Sequence, residues 1–494
     1  MTQQRDRLCI AILALGGQGG GVLADWIQSV ARSQGRLAQG TSVPGVAQRT
    51  GSTVYYVELA PMPADGRAPV LAQMPTPGDV DVVIASELME VGRAMVRGFV
   101  SAERTTLIGS THRIYAIAEK SAMGDGRADS SKILEAAAKR ARRFVGFDMD
   151  AASARSGSVI SSIMFGALAG SGALPFPREA FEDAIRASGV AVDSNLKGFA
   201  EGFDAARQPV AAPDEPAVPT PEPTTPFGQA LAARIRARLP AAAHRNALLG
   251  VQRLMDYQDQ AYAALYLERL ERIAALDQPP HHTLTTETAA ALALWMAYDD
   301  TIRVADLKTR ASRAARVRGE VRVKNDQLLS VTEFMHPRLR EICETLPAPI
   351  GRRLLHSSTA EKLLGRFFTK GRHVETTRLR WFLMLSLLAA MRPLRRSSLR
   401  YQEEQQRVEE WLSAVHTFAR PAPDLALEIV RCQNLIKGYG DTFDRGLTNF
   451  GKIFAFVQSG RATANDVAAL RQAALVDEQG LALAAELNRL GESA

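Results

Sequence analysis

Apolar and polar positions give the chain two textures. Up to about position 206, short apolar runs alternate with stretches whose apolar residues recur every three or four positions. LCIAILAL (Leu8 to Leu15) and VDVVIAS (Val80 to Ser86) read as buried strands, and STVYYVELA (Ser52 to Ala60) alternates as a half-buried strand does. RTTLIGS (Arg104 to Ser110) is a further strand. Between and after them, GVLADWIQSVARSQG, ELMEVGRAMVRGFV, GSVISSIMFGALAGSG and PREAFEDAIRASG have helical spacing. Strand and helix in alternation predict an α/β domain over 1–206, a doubly wound, Rossmann-like sheet with helices on both faces.

From Arg207 to Gly228 proline recurs every two to four residues, which removes backbone donors and favours extended chain. A proline-rich linker is expected over 207–227. Beyond it the pattern is helical almost throughout, as in RNALLGVQRLMDYQDQAYAALYLERLERIAAL (Arg245 to Leu276), so 228–494 is expected to be an α-helical domain. WFLMLSLLAAM (Trp381 to Met391) has eleven apolar or small residues, too few for a membrane span of about 20, and is expected to be a buried helix.

Composition narrows the function classes. Of 494 residues, 46% are hydrophobic and 23% charged, with a formal net charge of +7. This is a mildly basic globular composition. Ten Lys or Arg against two Glu between Glu361 and Arg400 make a basic stretch, but stacking aromatics at regular spacing are missing, so nucleic acid is not the expected partner. Cys9, Cys343 and Cys432 lie far apart, which excludes a four-thiolate cluster from this chain and points to a reducing cytoplasm. Arg5 and Arg7 before the first apolar run imitate a secretion signal, yet that run leads straight into a glycine turn and a helix, the expected reading.

That turn is the first candidate site. Gly16, Gly17, Gln18 and Gly19 open a segment with five glycines in six positions between a strand and a helix. A dinucleotide fingerprint also needs an acid about twenty residues on to hold the ribose. Positions 36 to 42 carry Arg36, Leu37, Gln39, Gly40, Thr41 and Ser42 instead. What remains is a tight turn whose free amides suit an anion. The second candidate is the polar loop TSVPGVAQRTGSTV, with Ser42, Gln48, Arg49 and Ser52. His112 follows a strand end, where α/β ligand sites lie. LIKGYGDTFDRGLTNFGKIF (Leu435 to Phe454) gathers charges and glycines, either as a docking loop or as a capped helix junction.

Taken in order, GGQG, VPGVAQRTGSTV and the later SGSVISSIMFGALAGSG…NLKGFAEGF resemble the gamma-type domain of the 2-oxoacid:acceptor oxidoreductases, and within them the beta chains of the indolepyruvate-type branch. The resemblance covers Leu8 to about Ala206. GVQRLMDYQDQAYAALYLERL, MAYDDTIRVADLKTRASR and LIKGYGDTFDRGLTNF are similar to the C-terminal region of proteobacterial members. The chain departs from the pattern at Thr50, where a second glycine usually stands, and at Pro44, often histidine.

The resemblance implies oxidative decarboxylation of an arylpyruvate to an arylacetyl-CoA, with electrons passed to ferredoxin. It implies thiamine diphosphate, magnesium and [4Fe-4S] clusters in an alpha subunit, coenzyme A as co-substrate, and a hetero-oligomer without membrane or nucleic acid. No G-D-G followed by an asparagine about 25 residues later, the usual seat for magnesium diphosphate, occurs here, so the chain is expected to bind none of these cofactors alone. The glycine turn and the Ser42–Ser52 loop are then expected to be cofactor-proximal or interface elements. The rival classes are a stand-alone NAD(P)-binding oxidoreductase and a non-catalytic scaffold.

Overall fold

The computed structural model describes residues 7–43, 53–62, 69–115, 117–124, 126–127, 129–208, 219–321, 323–324, 326–335, 338–357, 371–438 and 440–492. The chain forms two compact units, Met1–Ala217 and Val218–Ala494.

The first unit is built on a six-stranded sheet of β1 (Leu8–Ala14), β2 (Arg36–Val43), β3 (Thr53–Pro61), β4 (Val82–Ala85), β5 (Thr106–Ser110) and β6 (Arg143–Phe147). Their spatial order is β2-β3-β1-β4-β5-β6. The last four run parallel, while β3 lies antiparallel to both β1 and β2. Its helices are α1 (Gly20–Ser33), α2 (Leu88–Val96), α3 (Ile117–Ser121), α4 (Ser130–Arg140), α5 (Met149–Ser156), α6 (Ile160–Ser171), α7 (Arg178–Ser188) and α8 (Val192–Ala205). Alternation along β1 sends Ile10, Ile12 and Ala14 into a core with α1, α6 and α7, and Ala11 and Leu13 into another with α2 and α4. Both faces are therefore covered, as the apolar strand runs predict.

Two strands escape the sequence pattern. β2 is an edge strand whose side chains are half-exposed or exposed, so nothing imposes apolar alternation on it. β6 is a five-residue edge strand interrupted by Gly146. β2 also removes the context for a dinucleotide fingerprint. The strand after α1 runs parallel to β1 but is separated from it by the antiparallel β3, so the glycine turn does not open a β-α-β unit of adjacent strands.

Helices α6 and α8 touch backbone to backbone. A Cβ on Gly166 would lie 2.0 Å from the Phe199 carbonyl oxygen, and one on Gly202 2.1 Å from that of Ile163. The small residues of FGALAGSG and LKGFAEGF thus serve a close helix crossing. It brings Phe165 to within 5.8 Å of Phe199 and 5.1 Å of Phe181, ring centre to ring centre.

At the amino-terminal edge of the sheet, Glu58 is fully buried and saturated. It accepts from Arg7 (3.0 Å), the Tyr56 hydroxyl (2.8 Å) and the Ala72 amide (2.5 Å). Arg104 binds Asp81 at 2.7 Å and also reaches Asp79. Burial pushes the Cys9 thiol up, away from a reactive thiolate. We expect Glu58→Ala to lower stability by about 3 kcal/mol, because it strands a hydroxyl and an amide that burial has desolvated. Chemical denaturation checks this; a loss below about 1 kcal/mol would mean that water replaces the carboxylate.

The second unit is mostly helical around one core containing Tyr262, Tyr266, Trp295, Trp411, Leu425 and Ile453. Three of its buried polar tips end on backbone carbonyls: Tyr262 Oη donates to Met296 (3.0 Å), Tyr266 Oη to Ala289 (2.8 Å) and Trp411 Nε1 to Ile429 (2.9 Å). The exception to the helical pattern is a two-stranded antiparallel ribbon, Thr332–Met335 with Arg372–Glu375. No helix of the described residues is long and apolar enough to cross a membrane.

The helix expected to be buried is not. In Leu379–Ala390 only Leu385 is buried, while Leu379 is 72% and Leu387 70% exposed. Its sequence is mostly apolar, but one face alone is turned towards helix Thr301–Thr309.

Of the two readings of Leu435 to Phe454, the geometry matches a helix junction with ion pairs, although Gly440 at its start supplies no side-chain cap. Helix Asp441–Gln458 starts with Asp441 and Asp444 in its first turn, where acids offset the helix dipole. Arg338 pairs with both, at 2.6 Å and 3.4 Å. Burial lowers the Lys437 ammonium from its usual range.

Candidate functional site

Ligands of open α/β sheets sit outside the carboxyl ends of the strands, at the point where the chain switches direction across the sheet. Here that point lies between β1 and β4. The glycine turn leaves β1 there, and its geometry explains its composition. Gly17 (φ 86°) and Gly19 (φ 72°) are left-handed, and a Cβ on Gly19 would sit 2.8 Å from Ser161 Oγ. Gln18 turns inward. Its Oε1 accepts from the Leu15 amide at 3.1 Å and from the Ser86 hydroxyl, closing the turn onto the end of β4. Gly16 and Gly17 face open space on the other side.

Two helix N-termini meet at Gly19 and Ser161. Neither α1, capped by Gly19, nor α6, capped by Val159, has a side-chain cap or an acid in its first turn. Their first amides and positive dipole ends are left uncompensated, which is the chemistry of an anion seat. Ser161 is 2% exposed, with its hydroxyl directed at Gly19. Its neighbours are satisfied: Ser158 Oγ lies 2.7 Å from Ser162 Oγ and donates to Asn195 at 3.4 Å.

The remaining strand ends line the same edge. After β4, the buried Glu87 caps α2 by accepting from the Met89 and Glu90 amides at 2.9 Å, and it accepts from Ile114 at 3.3 Å. Burial pushes its carboxyl up. After β5, Ser110 Oγ accepts from the Met149 amide at 3.0 Å and lies 2.6 Å from His112 Nδ1. Burial lowers the His112 pKa, opposed by the nearby Asp150 and Asp148.

The candidates read from sequence fall as follows. Gly16, Gly17, Gln18 and Gly19 are together at this edge. Ser42 is exposed on β2, paired with Tyr55; Val43, next to it, and Thr53 of β3 both end at the same edge, opposite Val54 and Ala14 respectively. Gln48, Arg49 and Ser52 lie outside the described residues. Sequence reasoning missed Ser86 and Ser161. Ser86 carried a signal, since it ends the buried run VDVVIAS; Ser161 carried none, because its role depends on where α6 lands.

Among the described residues no group of three or more His, Cys, Asp or Glu is placed to hold a metal ion. Cys9, Cys343 and Cys432 are each buried without a disulfide. This donor set does not fit an iron–sulfur cluster, and no step through one is derived for this chain.

Residues 9–205 match the family described as pyruvate ferredoxin/flavodoxin oxidoreductase, and residues 243–455 match a family of unknown function (DUF6537). The chain is 29% identical over 205 residues to the indolepyruvate oxidoreductase subunit IorB of Archaeoglobus fulgidus, covering 40% of this chain and 96% of that protein. Among solved structures, the pyruvate oxidoreductase subunit PORC of Thermotoga maritima is 17% identical, with a TM-score of 0.29 over 40% of this chain and 97% of that one. The gamma subunit of a keto/oxoacid ferredoxin oxidoreductase from Geobacter sulfurreducens is also 17% identical, with a TM-score of 0.27 and coverages of 40% and 98%. The 2-oxoglutarate:ferredoxin oxidoreductase of Magnetococcus marinus is 15% identical, with a TM-score of 0.30 over 43% of this chain and 34% of that one. The N-terminal unit of this chain is thus a domain of the pyruvate ferredoxin/flavodoxin oxidoreductase family.

Proposed function

We propose that the chain is one subunit of a 2-oxoacid oxidoreductase complex that decarboxylates an arylpyruvate such as indolepyruvate, passing the acyl group to coenzyme A and electrons to ferredoxin. The observation that carries this reading is the family match over residues 9–205 in a chain whose three cysteines are scattered. The indolepyruvate assignment leans on the IorB relative. Thiamine diphosphate, magnesium and [4Fe-4S] clusters belong, on this reading, to an alpha-type partner, and the complex works in a reducing cytoplasm. The chain's own part is at the carboxyl edge. Gly16, Gly17, Gln18 and Gly19, with Ser161 below them, offer amides and a hydroxyl to a phosphate or carboxylate. Ser42 adds a hydroxyl at the end of β2, and Gln48, Arg49 and Ser52 are proposed, from the sequence alone, as further contacts to the same group. His112 adds an imidazole ring held by Ser110.

The test is to reconstitute the complex and compare indolepyruvate, phenylpyruvate and 2-oxoglutarate as viologen-dye reductants, with and without coenzyme A. The proposal expects an arylpyruvate to lead and coenzyme A to be required. Preference for 2-oxoglutarate would overturn the substrate assignment. Gln18→Ala, which cuts the tie between the turn and Ser86, is expected to raise the KM for coenzyme A about tenfold, equivalent to about 1.4 kcal/mol of lost binding. The chain's melting temperature should change little. Unchanged kinetics in that variant would favour the scaffold reading.

A further inference from the structure

Helix Leu379–Ala390 is the least expected surface of the molecule. It is anchored: Trp381 and Leu388 are half-buried and Leu385 buried, at positions i, i+7 and i+4 of one face, against helix Thr301–Thr309. Its outer face carries Leu379, Leu383 and Leu387 at four-residue spacing, 72%, 56% and 70% exposed, flanked by Phe382 and Met384 at 42% and 41%. Five large apolar side chains on one rigid helix form a patch of several hundred Å², the size at which an apolar patch on a monomer is commonly functional.

Charge identifies the kind of surface that fits it. From Thr376 to Gln402 there are six arginines and no Asp or Glu. Arg395 and Arg400 are turned inward onto Asp300 and Glu344. Arg378 and Arg380 stay at the start of the leucine face, Arg378 63% exposed beside Glu375 and Arg380 with its guanidinium 5.0 Å from the Trp381 ring centre. A second copy seated on this face would bring arginine against arginine, which is unfavourable on partial desolvation. A protein face with an apolar centre and an acidic rim is complementary.

We infer that the leucine face of helix Leu379–Ala390 is where the second unit docks an apolar, acid-rimmed surface of the partner subunit of the complex. This rests on the subunit reading above. It gives the helical unit a role that the 205-residue match to the IorB relative does not contain. Leu383 and Leu387 fill apolar recesses of the partner, and Arg380 pairs with its acidic rim.

The test uses the full chain co-expressed with its cluster-bearing partner. Leu383→Glu combined with Leu387→Glu is expected to weaken the complex at least about thirtyfold, the scale of interface hot spots. Arg380→Glu is expected to weaken it less and to flatten its salt dependence. Because these side chains are exposed, the melting temperature and far-ultraviolet dichroism of the chain alone should be unchanged, which separates lost docking from lost fold. Undiminished affinity in a complex that still forms would overturn the inference while leaving the subunit reading intact. A dimer of the wild-type chain abolished by the double substitution would assign the face to a second copy. Sedimentation with phosphatidylserine vesicles, lost in the same variant, would assign it to lipid. Failure of the wild-type chain to bind any such partner would overturn the subunit reading and this inference together.

Discussion

Replacing Gly202 by valine is expected to lower the melting transition of the N-terminal unit by about 10 °C, corresponding to a loss of about 3 kcal/mol for a domain of this size. The reason is geometric. The Cβ would lie 2.1 Å from the Ile163 carbonyl oxygen, so α6 and α8 must move apart along their whole contact. That contact holds Phe165 and Phe199, both fully buried, and the reciprocal approach of Gly166 to the Phe199 carbonyl at 2.0 Å allows no relief by side-chain rotation. Gly166→Val should behave alike. Gly451→Ala is the contrast: it lies inside helix Asp441–Gln458 with nothing within 4 Å of a new Cβ, and should stabilise by up to about 1 kcal/mol through helix propensity. Calorimetry of the full chain reads all three. Tolerance of valine at both Gly166 and Gly202 would show that the two helices are not in backbone contact.

Arg395→Met is expected to be the most damaging single change in the helical unit, with a loss of about 3–5 kcal/mol. Arg395 is 1% exposed, and its guanidinium is almost fully used. Nε and Nη2 donate to Asp300 at 2.7 and 3.1 Å, and Nη1 donates to the Tyr257 carbonyl at 2.7 Å and to Gln258 Oε1 at 2.8 Å. The group also stacks 4.1 Å from the Tyr257 ring centre. Methionine conserves much of the volume but leaves the Asp300 carboxylate buried without its cation. Adding Asp300→Leu should therefore recover a large part of the loss, since removing both charges is much cheaper than removing one. A double-mutant cycle by denaturant unfolding checks this; simple additivity would show that the two residues are not coupled.

Much of the sheet was readable because burial on both faces writes itself as an unbroken apolar run, as in β1 and β4. β2 was not, because an edge strand with half-exposed side chains needs no pattern. The basic composition of the stretch from Glu361 to Arg400 gives no sign of burial, yet Arg395 and Arg400 are internal. Sequence spacing cannot show that a cation has a buried carboxylate waiting 95 residues away at Asp300. The converse error is Leu379–Ala390, where apolar composition predicts burial but a mostly apolar helix with one anchored face leaves the rest outside. At the site, Gln18 was legible because the glycine turn fixes it locally. Ser86 and Ser161 join it only through strand order and the landing of α6, which no local pattern encodes.

The central claim is that this chain does its chemistry only as part of a complex. The most direct measurement is indolepyruvate-dependent reduction of a viologen dye by the chain alone, by a thiamine-diphosphate and iron–sulfur partner alone, and by the two co-expressed. The account predicts coenzyme A-dependent activity in the co-expressed pair and none in this chain by itself. Turnover or NAD(P) binding by the isolated chain would contradict it.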